Sequence, residues 1–458
     1  MSLAAATLAP DSPPTRARAA TGPHPDRAPS SRRDAAVDVA RAWCLTVVVA
    51  LHALMVGVSV TADGPLLQNA MEHWSGFGIL TWFGQVMPLF FVLGGFSGFL
   101  QWERARLRGD GYGAQLAGRL RRLFVPAVAA VLAIVVVLAL LQLAGVPEDT
   151  VATAGFRLSQ PLWFLAVYVV CTAALPLLAA LHRRRPAIAL AGLGAAVVAV
   201  DVVRASTGVA AVGLINLLFV WLLVQQLGFV LATLPRDGWS ARRARWIAVA
   251  CFGTLAVLCA AGVYSPDLYL NLNPPTGALV LLGVGQLAVF SLLRTRLARL
   301  AEGRILGRYV AAVNRRAMTV YSWHMLVLVL LAGVLLAMGG ESLPQPLSAE
   351  WWLTRPLWLA AAGVAVAVVA AVAGRLEARR SDAGAGTGWR VARPVRAVCA
   401  AAAGAGGVLV ILVSGSALAG WVVGALLILT CLCLLRSPGV SAEQRPTVLT
   451  GVARVGEA

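Results

Sequence analysis

Asp38-Val-Ala-Arg-Ala-Trp-Cys-Leu-Thr-Val-Val-Val-Ala-Leu-His52 opens the first long apolar segment of the chain. Arg41 and His52 are eleven residues apart, which on a helix places them within roughly 20° of one face and about 16 Å apart along the axis. Asp38 and Ser59 fall on the same stripe. The spacing therefore predicts a spanning helix with a polar seam, one end at a membrane boundary and the other near the midplane. An ionisable side chain at that depth costs a few kcal/mol or more unless it faces a partner or a wet cavity. His52 is the first candidate for chemistry.

Composition agrees with a membrane setting. Hydrophobic residues make up 59% of the chain and charged residues 13%, with a mean hydropathy of +0.79. That leaves too little polar surface to coat a soluble body of 458 residues. The net charge of +18 comes from 38 basic residues, all arginine, clustered between apolar runs. Clusters so placed report membrane topology rather than nucleic-acid binding.

Twelve apolar runs follow one another at about 36–60, 79–101, 123–145, 161–181, 187–205, 212–234, 246–263, 275–293, 317–339, 352–373, 397–413 and 417–435. Each approaches the roughly 20 residues that span hydrocarbon. The fold class expected is all-α, a polytopic transmembrane bundle of about twelve helices. Residues 1–34, rich in Pro, Arg, Ala and Ser, read as a disordered cytoplasmic tail with no signal-peptide core, and 436–458 as a second tail. An Arg-rich linker is expected at 376–396, before the last two spans at 397–435.

All arginines except Arg41, Arg157, Arg204 and Arg355 fall in the tails and in alternate loops. The positive-inside rule then places both termini in the cytoplasm, and loops 61–78, 146–160, 264–274 and 340–351 outside. The seven cysteines lie in or beside apolar runs without metal-ligand spacing, which argues against a metal site or disulfide framework. Of five histidines, only His52 and His324 fall inside predicted spans.

Five further stretches combine polarity with membrane position. The second run sets Gln85 in apolar surroundings, with Pro88 as a kink and Gly94-x3-Gly98 as a helix-packing pair. Arg119 and Arg122, one turn apart before the third run, are either a topology signal or a clamp for phosphates. Gln160-Pro-Leu-Trp-Phe-Leu165 sets Trp163 and Phe164 at an interface belt or a site. Met318-Thr-Val-Tyr-Ser-Trp-His324 puts Tyr321 and His324 one turn apart, and Asn271-Leu-Asn-Pro-Pro-Thr276 offers amides to a polar acceptor.

Taken in order, Arg41-x10-His52, Phe90-Phe-Val-Leu-Gly-Gly-Phe96, Arg119-x2-Arg122, Pro161-Leu-Trp-Phe164 and Tyr321-x2-His324 resemble the acyltransferase type 3 family of integral-membrane acyltransferases. The resemblance covers about residues 35–375, a ten-span core, and leaves two C-terminal spans outside it. It implies transfer of an acyl group, often acetyl, from cytoplasmic acyl-CoA (acetyl-CoA) to a hydroxyl or amine of a carbohydrate, lipid-linked or small-molecule acceptor. Acyl-CoA is then a co-substrate, no bound cofactor is expected, and the partners are donor, acceptor and lipid bilayer.

The resemblance gives Arg41 and His52 the family's essential positions and Arg119 and Arg122 its inner arginine motif; His52 and Arg41 are the catalytic candidates, and Arg119, Arg122, Gln85, Trp163, Tyr321 and His324 the candidates for binding substrate or donor. Gly94 stands where many members have Ser. A multi-pass plasma-membrane enzyme is the expectation. The alternatives are a twelve-span secondary transporter, weakened by the lack of an internal repeat, and a non-catalytic membrane binding protein.

Overall fold

A computed structural model describes residues 34–61, 64–235, 238–385 and 393–436. The first helix, α1 (Ala35–Met55), ends five residues before the predicted span does. Val56-Gly-Val-Ser-Val-Thr61 alternates β-branched with small or polar residues, a pattern that suits a strand. It forms β1 (Val56–Thr61), paired antiparallel with β2 (Gly64–Asn69) in the register Val56↔Asn69 to Thr61↔Gly64. Ser59 is therefore buried in a hairpin and does not continue the polar stripe of α1.

The second predicted span is two helices, α2 (Phe77–Gly84) and α3 (Met87–Leu107). The break falls at Gln85 and Val86, because Pro88 lacks an N–H and is tolerated only in the first turn of α3. Then come α4 (Tyr112–Leu143), α5 (Glu148–Ser159), a 3-10 turn at Gln160–Leu162, α6 (Trp163–Arg184), α7 (Pro186–Thr207), α8 (Asn216–Thr233) and α9 (Ala241–Ala260). They are followed by α10 (Gly277–Leu300), the short α11 (Arg304–Arg315), α12 (Ala317–Gly339), α13 (Ala349–Ala385), α14 (Pro394–Ser414) and α15 (Leu418–Leu434).

Among the described residues eleven helices are long and apolar enough to cross a membrane, and α15, with 17 residues, is a shorter apolar helix. The chain is a polytopic all-α bundle, as its apolar runs predict. The loops are shorter than the runs suggest. Arg119 and Arg122 lie inside α4, and the Arg-rich linker is partly taken up by α13. Residues 1–33, 386–392 and 437–458, which hold most of the expected tails and part of that linker, lie outside the described residues.

Contacts between helix ends define two sides of the bundle. On the side where α1 begins, Asn314 donates to Asp38 O, Thr319 bonds Glu377, Arg183 pairs with Glu103, and Arg396 reaches Arg436 O. On the side where α1 ends, the Trp82 indole donates to Pro266 O and Asp201 of α7 gathers three donors. These are Asn216 Nδ2 (2.9 Å), the Tyr264 hydroxyl (2.8 Å) and the Gly277 N–H (2.8 Å). Burial and the Asp201 bond push the Tyr264 phenol above its ordinary value, so it remains a donor.

The Asn271 loop turns inward in the same way. Its side chain donates to Ser265 O and Asp267 O and accepts from Thr276 Oγ1, so its polar atoms serve the loop rather than an acceptor.

Glycine contacts revise the predicted packing pair. A Cβ at Gly95 would collide with Gln225 O, and one at Gly228 with Val92 O, so α3 and α8 cross through these two residues. Gly94 instead faces the Tyr168 ring, 3.3 Å from a built Cβ, and Gly98 leaves room for Arg119 Nη1 at 3.3 Å.

Cysteine replacements at positions 72 and 110, made after Cys399 and Cys433 are changed to serine, are expected to label from opposite faces of sealed vesicles. Labelling of both from one face would overturn the two-sided arrangement.

Candidate active site

His52 sits in the last turn of α1 and His324 in the second turn of α12, 272 residues later. The fold brings their rings to a centroid separation of 5.1 Å, with His324 Nε2 3.3 Å from His52 Nδ1. His324 is fully buried and His52 half-buried. The other bonds settle the tautomers. His52 Nδ1 lies 2.9 Å from Val48 O, and His324 Nδ1 lies 2.7 Å from Tyr321 O.

Carbonyls only accept, so each imidazole carries a proton on Nδ1. The proton of His52 is shared between Val48 O and the lone pair of His324 Nε2; two N–H groups could not face each other there. His52 Nε2 keeps its lone pair and has no hydrogen-bond partner among the described residues. The arrangement is a base whose far nitrogen is oriented by a carbonyl and a second imidazole.

Tyr321 secures that second imidazole. Its hydroxyl donates to Pro161 O at 2.7 Å, which ties α12 to the 3-10 turn preceding α6. The helical period placed Tyr321 and His324 on one face, and Pro161 is the partner that face meets. Aromatic rings then run without interruption from Trp163 to Phe164 (6.3 Å), Tyr321 (5.2 Å), His324 (6.2 Å) and His52 (5.1 Å). Trp163 also lies over Trp221 at 5.3 Å, and Phe91 stacks on Trp221 at 4.4 Å. Trp163 and Phe164 thus belong to an internal aromatic cluster and not to an interface belt.

The other predicted residues lie farther off. Arg41 is half-buried on α1, about 16 Å from His52 along the axis, so it does not meet the imidazoles. Arg119 is half-buried and its Nη2 donates to Gly98 O at 3.0 Å, whereas Arg122 is exposed. Gln85 is buried in the break between α2 and α3, where its Oε1 accepts from Met87 N at 3.4 Å. Its Nε2 has no hydrogen-bond partner among the described residues.

Two contributors escaped the sequence reading. Gln286 of α10 bridges the helix break, accepting from Leu89 N at 3.0 Å and donating to Gln85 O at 2.8 Å. Trp358 of α13 donates to Ala53 O at 2.8 Å, satisfying a carbonyl in the last turn of α1 beside His52. A glutamine within an apolar run was the available signal for the first. For the second, a tryptophan among many in a membrane protein carries none.

Acyl transfer needs a base near the acceptor and positive charge or N–H donors for the donor and the developing oxyanion. An oriented imidazole at the end of a helix that carries Arg41 in its second turn, in a bundle with the arginine pair Arg119 and Arg122 on the α1-start side, has those parts. No curated protein and no solved structure matches the chain. The acyltransferase domain model of the acyltransferase type 3 family matches residues 34–375. That span reaches from the start of α1 into α13 and contains both histidines, the three arginines and Gln85, and excludes α14 and α15. The chain belongs to the acyltransferase type 3 family and is a multi-pass membrane acyltransferase.

Proposed function

We propose that the protein transfers an acyl group, most simply acetyl, from cytoplasmic acyl-CoA to a hydroxyl or amine of a carbohydrate, lipid-linked or small-molecule acceptor at the plasma membrane. The observation that carries this reading is the His52–His324 contact, which leaves His52 Nε2 free to accept a proton within the family-matched bundle. The arginine distribution supports a cytoplasmic location for the side on which α1 begins.

In this scheme His52 Nε2 removes the acceptor proton as the acceptor oxygen or nitrogen bonds to the thioester carbonyl carbon. The tetrahedral intermediate collapses by breaking the C–S bond, and the imidazolium returns its proton to the departing CoA thiolate. Products are the acylated acceptor and free CoA. The charge that develops on His52 is shared with His324 through Nδ1, so the second histidine positions the base and spreads its charge. Purified protein incubated with radiolabelled acetyl-CoA should release CoA and label an acceptor; absence of both with intact CoA binding would overturn the reading.

Arg119 and Arg122 are assigned to the phosphates of the donor, since guanidinium forks suit phosphate and both lie on the α1-start side of α4. Charge-assisted contacts contribute about 1.5–3 kcal/mol each, so Arg119→Ala or Arg122→Ala should weaken CoA binding roughly ten- to a hundredfold. The loss should be larger for Arg119, whose guanidinium is held against Gly98 O. Lysine at either position should restore only part of the affinity, because it keeps the charge and loses the fork. Calorimetric titration of detergent-purified protein with CoA reads this. Unchanged affinity in both alanine variants would reduce the pair to a topology signal.

A further inference from the structure

The short helix α11 joins the end of α10 to the start of α12 on the side where α1 begins. Its sequence, Arg304-Ile-Leu-Gly-Arg-Tyr-Val-Ala-Ala-Val-Asn-Arg315, separates charge from apolar bulk around the helix. At about 100° per residue, Arg304, Arg308 and Arg315 fall within about 40° of one another, and the large apolar residues fall on the opposite half. That apolar half is wider than the protein covers. Leu306, Val310 and Val313 cluster with Val39 and Ala42 of α1 and with Leu297 and Ala301 at the end of α10. Ile305 and Tyr309, one turn apart on the flank of the same half, stay 88% and 44% exposed. The three arginines are exposed as well.

Two bonds fix which way the exposed flank looks. Asn314 Nδ2 donates to Asp38 O in the first turn of α1. The Thr46 hydroxyl donates to Ala42 O, so the Tyr309 hydroxyl donates to Thr46 Oγ1. Thr46 lies about 16 Å past the start of α1, so the Tyr309 ring reaches along a spanning helix toward the middle of the bundle. The flank of Ile305 and Tyr309 therefore faces hydrocarbon, and the arginines on the other half face the headgroup boundary.

We propose that α11 is an interfacial helix that binds anionic phospholipid on the leaflet at which α1 begins. Arg304, Arg308 and Arg315 take the phosphate headgroups, and Ile305 and Tyr309 enter among the acyl chains. Charge complementarity selects this occupant: residues 294–316 hold seven arginines and a single acidic residue, Glu302. A soluble anionic partner would match the arginines and leave Ile305 in water, whereas a lipid satisfies both faces at once. Lipid binding here does not depend on the acyl-transfer reading.

The test places a bimane fluorophore on Ile305→Cys, in full-length protein with Cys399 and Cys433 changed to serine; the same background without Ile305→Cys is the blank. The labelled protein is reconstituted into phosphatidylcholine bilayers holding a minority of phosphatidylglycerol or phosphatidylcholine brominated in the acyl chains. Both lipids should quench the label, which reads the hydrocarbon-facing flank, and the phosphatidylglycerol should be enriched there about fivefold, the effect of one arginine near an anionic surface. Salt at about 1 M, where the Debye length is about 3 Å, should shrink that preference. Arg304→Gln, Arg308→Gln and Arg315→Gln combined should abolish it with CoA affinity unchanged, and lysine at the three positions should retain it, which separates charge from any loss of fold. A label quenched by neither lipid, equal quenching by both in the arginine-bearing protein, or a preference that survives the triple glutamine change would overturn the proposal. So would a tenfold fall in CoA affinity in the triple glutamine variant, which would give these arginines to the phosphates of the donor.

Discussion

Replacing His52 with alanine is expected to lower acyl transfer by about 10²- to 10⁴-fold, the usual worth of a positioned general base, while the protein stays folded and binds CoA as before. The expectation follows from the tautomer. With Nδ1–H committed to Val48 O and His324 Nε2, the free Nε2 is the atom lost, and no neighbouring group among the described residues can replace it. His324→Gln should cause a smaller fall in kcat with CoA affinity unchanged, because it removes the partner that orients and shares charge with the base and leaves the base in place. The two effects should not add, since both act through one imidazole. Turnover of His52→Ala near wild type would remove His52 from the role of base and make His324 the leading candidate. The measurement is release of radiolabelled acetate or transfer of label from acetyl-CoA, with CoA titration as the check on folding.

The second large effect concerns the fold. Gly228→Ala should destabilise the protein by about 1–3 kcal/mol or more, the range for overpacking a filled interior. The added Cβ would lie 2.5 Å from Phe96 N and 2.9 Å from Gly95 C, and it would also collide with Val92 O. These are backbone atoms of α3, which cannot rotate out of the way as a side chain can, so the two helices must separate. Separation would loosen the stacking of Phe91 on Trp221 and with it the aromatic cluster that reaches Tyr321 and His324. Alanine at Gly192 or Gly363, where nothing lies within 4 Å of a built Cβ, should leave the melting temperature unchanged. Thermal unfolding of the three variants in the same detergent decides it, and equal melting temperatures would show that the α3–α8 crossing tolerates the extra atom.

Part of the site was legible because its signals are local. Tyr321 and His324 had to share a face once 317–339 was read as a helix, and α12 occupies those residues. His52 stood out because an imidazole inside an apolar run is expensive without a partner. Its neighbour along the predicted stripe, Ser59, was misplaced for an equally local reason: Val56-Gly-Val-Ser-Val-Thr61 is as apolar as a helix and differs only in its period-two alternation. Gly94 and Gly98 were favoured over Gly95 as the packing pair because their spacing fits a small-residue motif, whereas the face that meets α8 is set by α8.

By itself the sequence determined the class, the succession of apolar helices and the residues too polar for their surroundings, since hydropathy and helical period are properties of a short window. Only the tertiary structure decided which of those residues meet. The His52–His324 contact, the Tyr321–Pro161 bond and the repair of the α2–α3 break by Gln286 each join groups on different helices. Such pairings depend on the rotation and crossing of whole helices, which are fixed by the close approach of backbones at residues such as Gly95 and Gly228 and leave no mark in the period of any one segment.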